Sequence, residues 1–111
     1  MRFGFDFDGT ITKNPIVFKI LIESLIKNNY DVYIISGTAE SKRKNVVQEL
    51  NSYGVKLEKV NLILKETESD IYSTTKWKFD HIDKLKIRCY FENRNITAND
   101  ISELCTVLKV L

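Results

Sequence analysis

The stretch that decides the fold is Met1–Thr10, M-R-F-G-F-D-F-D-G-T. Phe3, Phe5 and Phe7 recur at every second position and Asp8-Gly9 closes the run, which predicts a short strand with one aromatic face and a turn at its end. Two carboxylates, Asp6 and Asp8, stand at that end. At alternate positions of an extended segment they leave the chain on the same side and can point into one pocket. Gly9 permits the sharp turn that frees the second of them.

Downstream of this strand, apolar runs of two kinds alternate. Asn14-Pro15 offers a cap and a first-turn proline to a helix carrying Val17, Ile20, Leu21, Leu25 and Ile26, which ends at Asn28-Asn29. Val32–Ile35 is a continuous β-branched and aromatic run closed by Ser36-Gly37, as expected of a strand covered on both faces. A helix is predicted from about Thr38 to Tyr53, with Thr38 as its cap and Gly54 as its stop. Val60–Leu64 reads as the third strand, and Trp77, Ile82 and Leu85 mark a short helix after Thr74-Thr75. Arg88–Phe91 reads as the fourth strand. Thr97 to about Leu104 reads as a helix with Thr97 and Asp100 in its first turn, and Val107, Val110 and Leu111 suggest a fifth strand.

This alternation predicts a single domain over 1–111, a three-layer α/β/α sandwich on a mostly parallel, Rossmann-like sheet. The length suits one core and is too short for two. With 43% hydrophobic and 29% charged residues the chain lies within the range of folded domains, which excludes disordered and low-complexity classes. A net charge of +2 gives no bulk attraction to nucleic acid or membrane, so partners must be argued locally. The longest apolar stretch, Ile16–Ile26, is interrupted by Lys19, Glu23 and Ser24 and falls short of a membrane span. No secretory leader precedes the first strand, and Cys89 and Cys105 lack metal or redox spacing and read as buried free thiols, so a cytoplasmic location is expected.

In parallel sheets ligands gather beyond the carboxyl ends of the strands. Those ends carry Asp6 and Asp8, Ser36–Thr38, Lys65, and Glu92-Asn93. One carboxylate can attack phosphorus while a second protonates the leaving oxygen and later activates water. Asp6, Asp8 and Glu92 together would repel a phosphate unless a hard cation such as Mg²⁺ and a lysine balanced them. Phosphoryl transfer needs chiefly positioning and charge neutralisation, which Mg²⁺, a lysine, the Ser36 hydroxyl and backbone amides supply.

These residues resemble the haloacid dehalogenase superfamily. D-F-D-G-T at Asp6–Thr10 is similar to its first motif, the apolar run ending in Ser36-Gly37 to its second, and Y-F-E-N at Tyr90–Asn93 to its fourth. The resemblance implies a HAD-like sheet, with Asp6 as nucleophile and Asp8 as general acid and base. It also implies Mg²⁺ held by Asp6, the Asp8 carbonyl and the fourth-motif acid Glu92, with Asn93 where a second acid often stands. The third-motif lysine has two candidates, Lys76 and Lys78. The stretch T-x-W-K at Thr75–Lys78 resembles the T-x-F-K pattern of small phosphatases of the family, including those likened to RNA-repair enzymes, and this favours Lys78.

Both places where the family inserts a cap domain are short here, between Gly9 and Pro15 and between Lys65 and Thr74. An open site is expected, suited to a phosphorylated substrate that includes macromolecules. The leading expectation is a Mg²⁺-dependent phosphomonoester hydrolase in which Asp6 and Asp8 are catalytic, Ser36, Gly37 and Lys78 hold phosphate, and Asp6, Asp8 and Glu92, with Asn93 as a further candidate, hold the metal. The alternatives are a nucleic-acid or nucleotide end-processing phosphatase and a phospho-ligand-binding module of weak activity. Simpler roles are expected elsewhere: a solvated helix face for Lys42, Arg43 and Lys44, a core anchor for Trp77 and an exposed position for His81.

Overall fold

A computed structural model describes all of residues 1–111. Five strands and four α-helices alternate: β1 (Arg2–Phe5), α1 (Pro15–Lys27), β2 (Asp31–Ala39), α2 (Arg43–Ser52), β3 (Val60–Lys65), α3 (Ile71–Leu85), β4 (Cys89–Glu92), α4 (Asn95–Ile101) and β5 (Thr106–Lys109). The strands form one sheet in the order β3-β2-β1-β4-β5, and every neighbouring pair is parallel. The chain winds outward from β1 to β3 and then returns to β4, so the topological switch point lies between β1 and β4. The predicted alternation of strand and helix, including the fifth strand, is present.

The apolar side chains divide between the two faces of the sheet. On one face Phe18 and Ile22 of α1 and Val46 and Leu50 of α2 meet Phe5, Val32, Ile34 and Leu64. Phe5 stacks on Phe91 of the neighbouring strand, with ring centroids 4.7 Å apart. On the other face Ile82 of α3 and Ile101 of α4 meet Ile35, Ile87 and Tyr90. Burial of apolar area on both faces is the main stabilising contribution to such a layered fold. No helix is long and apolar enough to cross a membrane.

Several boundaries differ from the sequence expectation. β2 does not stop at Ser36-Gly37 but pairs with β3 as far as Ala39, with a register shift between Ser36 and Ala39. A bulge of this kind turns Gly37 and Thr38 out of the ladder. Thr38 is therefore not a helix cap, and α2 begins after a 3₁₀ turn at Glu40–Lys42. α3 starts earlier than expected, where the Asp70 side chain accepts the Ser73 amide at 2.9 Å. α4 also starts earlier, at Asn95, so Thr97 lies inside it, bonded to the Thr75 hydroxyl at 2.8 Å, and Asp100 lies near its end. Asn14 makes no side-chain cap bond, and Cys89 and Cys105 are half-buried rather than buried.

Tyr90 ties the sheet together at the switch point. It is fully buried on β4, crosses β1 and donates its hydroxyl to the Ile35 carbonyl on β2 at 2.7 Å. The crossing requires glycine at position 4, because a Cβ there would lie 2.6 Å from Tyr90 Cδ1. Tyr90→Phe should lower the unfolding free energy by roughly 1–3 kcal/mol, since it leaves a buried carbonyl without its partner. Urea denaturation measures this, and an unchanged midpoint would contradict it.

Candidate functional site

The side chains predicted at the strand ends converge at the switch point. The Asp6 amide donates to the Phe91 carbonyl at 2.9 Å, which fixes Asp6 between β1 and β4. The next residues form a single wide, π-type turn over Phe7–Ile11, in which Asp8 stays extended and Gly9 has φ +78°. Only glycine fits this position: a side chain there would be strained, and its Cβ would lie 2.4 Å from the Asn93 amide tip. The turn places Asp6 buried at the floor of a cleft of about 210 Å³ and Asp8 exposed at its mouth.

No hydrophobic side chain lines that cleft. Besides Asp6 and Asp8 its walls carry Ser36, Gly37 and Thr38 from the β2 bulge, Thr74 and Lys78 from α3, Glu68 and Ser69 from the loop before α3, and Arg94. Lys65, the remaining strand-end candidate, lies outside it and donates to the Thr67 carbonyl at 3.2 Å. Lys76 is exposed on α3 and pairs with Asp80, so of the two candidate lysines Lys78 alone reaches the cleft.

Lys78 is 4% exposed, and its ammonium lies 2.8 Å from Asp6 Oδ1 and 2.9 Å from Glu92 Oε1. One buried cation thus serves two buried carboxylates. For Asp6, burial is the largest influence and Glu92 adds to it, while Lys78 opposes both; the carboxyl is pushed up to about 6. For Lys78, burial pulls downward, and Asp6 and Glu92 together outweigh it, so the ammonium is held above its ordinary value. The two shifts describe one arrangement: the lysine gains from both carboxylates, whereas Asp6 receives only part of one positive charge. Tyr90, below the lysine, is raised well above the usual phenol range by burial and by the same two carboxylates.

Glu92, expected among the metal ligands, is held here by other partners. It is fully buried; its Oε1 accepts from Lys78, and its Oε2 accepts the Asn93 amide at 3.0 Å and the Arg94 amide at 3.2 Å. The strand repeat explains this: Glu92 shares a sheet face with Tyr90 and so points toward α3. No group of three or more His, Cys, Asp or Glu side chains gathers as a metal cluster.

A mixed oxygen set does converge. The tip of the Asn93 side chain lies 2.8 Å from Asp6 Oδ2, 3.1 Å from the Asp8 carbonyl oxygen and 3.1 Å from Glu92 Oε2. With the amide nitrogen at that tip, Asn93 donates to these oxygens. The three acceptors favour the nitrogen at that tip; only a bound cation would call for the oxygen there instead. The distances from the Asn93 tip to Asp6 and to the Asp8 carbonyl are close to the roughly 2.9 Å between adjacent ligands of an octahedral Mg²⁺. Asn93 rather than Glu92 thus stands against Asp6 Oδ2 and the Asp8 carbonyl.

Sequence reasoning missed the part played by Thr38. Its hydroxyl donates to Asp8 Oδ2 at 3.1 Å and lies 2.9 Å from the Ser36 hydroxyl, so the bulge holds the carboxylate at the mouth. The signal was present only as a hydroxyl after Ser36-Gly37. Lys42 pairs with Glu68 and Arg43 with Glu40, as befits a solvated face. Trp77 is half-buried against the core, and His81 is half-buried rather than exposed, its Nδ1 2.9 Å from the Trp77 carbonyl oxygen. A scan against family models finds no family that matches the chain, and a search of curated proteins finds no match.

The raised Asp6 has a consequence for stability. Its folded-state value lies above its unfolded one, so its contribution is fully present below the ordinary carboxylate range and is lost as pH rises through about 6. In cation-free buffer, stability should therefore fall between about pH 4 and 6, by at most about 3 kcal/mol from this group. Asp6→Asn should remove that fall and be at least as stable as the parent at pH 7. Urea midpoints across the range test this, and identical pH slopes for the two proteins would contradict it.

Proposed function

We propose that this chain is a phosphomonoester hydrolase that works through a covalent phosphoryl group on Asp6 and requires Mg²⁺. The observation that carries the reading is the buried lysine between Asp6 and Glu92, in the same cleft as Asp8, Ser36 and Thr38. A structural ion pair needs no second carboxylate at the mouth and no polar cleft above it. The reading also accords with the resemblance of Asp6–Thr10, Ser36, Lys78 and Glu92-Asn93 to the haloacid dehalogenase superfamily.

In the first step a carboxylate oxygen of Asp6 forms a bond to phosphorus as the bond to the leaving oxygen breaks. Asp8 gives that oxygen a proton. Lys78 fixes the orientation of Asp6 and offers its charge to the transferred group, and the Ser36 hydroxyl, 1% exposed on the adjoining wall, faces the same space. In the second step Asp8 takes a proton from water, the water oxygen bonds to phosphorus, and the bond to Asp6 breaks to release phosphate. Asp8 suits both duties because it is exposed, held by Thr38 and free of the buried ion pair. A Mg²⁺ held by Asp6, the Asp8 carbonyl and Asn93 would neutralise charge on the phosphoryl oxygens.

The connections on either side of the site, residues 6–14 and 66–70, hold no inserted domain, so large phosphorylated substrates can approach. Phosphate release from an aryl phosphate in the presence of Mg²⁺ is the direct test. Asp6→Asn should abolish it, and unchanged turnover would exclude the covalent route. Thr38→Val should lower kcat about tenfold with little change in KM, by the loss of one hydrogen bond to Asp8, and Thr38→Ser should restore most of it. Equal kcat in all three proteins would remove Thr38 from the mechanism.

A further inference from the structure

The mouth of the cleft is electrostatically uneven. On the α2 side Lys42 is already matched by Glu68 at 2.5 Å, and Asp8 and Glu68 present carboxylates there. On the opposite side stands Arg94, the residue after Asn93. Its amide is anchored on Glu92 Oε2, the carboxylate that also holds Lys78, but its exposed guanidinium makes no hydrogen bond or ion pair. The cleft's other cation, Lys78, is buried between Asp6 and Glu92 and does not reach the mouth.

Arg94 also lines a second, more open depression, together with Ile71, Asn95 and Ile96, and is the residue the two share. Surface chemistry changes across the arginine. The cleft has no apolar lining, whereas the depression has two isoleucines, and Ile96 is 41% exposed. A phosphomonoester with its phosphoryl group at Asp6 must send the rest of the molecule out through this mouth. An anionic leaving group meets Asp8 and a self-neutralised Lys42–Glu68 pair on one side and, on the other, an unpaired guanidinium at Arg94, where a carbon body can rest on isoleucine. The guanidinium fork matches an oxyanion in two-point geometry.

We propose that Arg94 and the Ile71–Asn95–Ile96 shelf form a leaving-group subsite, selecting phosphomonoesters of a ring-bearing alcohol that carries a second oxyanion. The substrate class rests on the hydrolase reading; the subsite itself can be tested by binding alone. The test measures Mg²⁺-supported binding of a nucleoside 3′,5′-bisphosphate and the matching 5′-monophosphate to Asp6→Asn and to Asp6→Asn/Arg94→Gln, by calorimetry. The single variant should prefer the bisphosphate by about tenfold, the scale of one charge-assisted hydrogen bond, and the double variant should lose that preference.

Arg94→Lys in the same background should recover only part of the preference, because an ammonium lacks the planar fork. A carboxyaryl phosphate compared with its uncharged counterpart shows whether a carboxylate serves as well as a second phosphate. Equal affinity for mono- and bisphosphate, or equal weakening of both by Arg94→Gln, would overturn the subsite. Turnover by the unaltered chain is read separately: preference in binding without hydrolysis of any of these compounds would leave the subsite standing and end the hydrolase reading.

Discussion

Everything at the switch point depends on one buried ammonium. Lys78 cannot leave its position without stranding Asp6 and Glu92, both nearly or wholly removed from water, and neither carboxylate could remain there without it. The rest of the architecture supplies that position. β1 and β4 bring the two carboxylates side by side, α3 carries the lysine across the sheet face, and Tyr90 supports it from below. Two negative charges on one positive charge leave the arrangement short of neutrality; burial first, with Glu92 adding to it, outweighs Lys78 and sets Asp6 above its ordinary value. A cation or a protonated state relieves that shortage. Such a pocket is costly for a purely structural role and well suited to receiving charge during phosphoryl transfer.

Much of this was legible along the chain. Alternating phenylalanines followed by Asp-Gly fix both the strand and the turn, because the period and the glycine act locally. The convergence of Ser36 and the Glu92-Asn93 pair follows from their placement at strand ends in a parallel sheet, whereas Lys78, midway along α3, was legible only through the resemblance of T-x-W-K to the family pattern. What could not be read depended on pairing between distant segments. The apolar run Val32–Ile35 followed by Ser36-Gly37 looks like a strand and a turn, yet β3 keeps pairing to Ala39 and turns the intervening residues into a bulge. Thr38 is on that bulge, and its contact with Asp8 has no signature in spacing.

Glu92 and Asn93 face different partners for a similarly non-local reason. Both are polar and adjacent, and only the direction imposed by β4 sends the acid toward α3 and the amide toward Asp6. Arg94 drew no notice in the sequence because a single arginine in a loop is common. Its meaning comes from the neighbouring walls, where the charges on one side are paired and on the other are not. The amide in place of an acid also leaves the oxygen set one negative charge poorer, which in the proposed reaction would weaken the hold on Mg²⁺ and ease the approach of phosphate.

The most direct measurement is a crystal structure of the chain with Mg²⁺ and beryllofluoride, a mimic of a phosphoryl group on a carboxylate. Beryllium bonded to an Asp6 oxygen, with Lys78 against the fluorides and the ion touching the Asp8 carbonyl and Asn93, is the expected result. A beryllofluoride-free Asp6 still paired as before, with Mg²⁺ absent or bound elsewhere on the surface, would contradict the account.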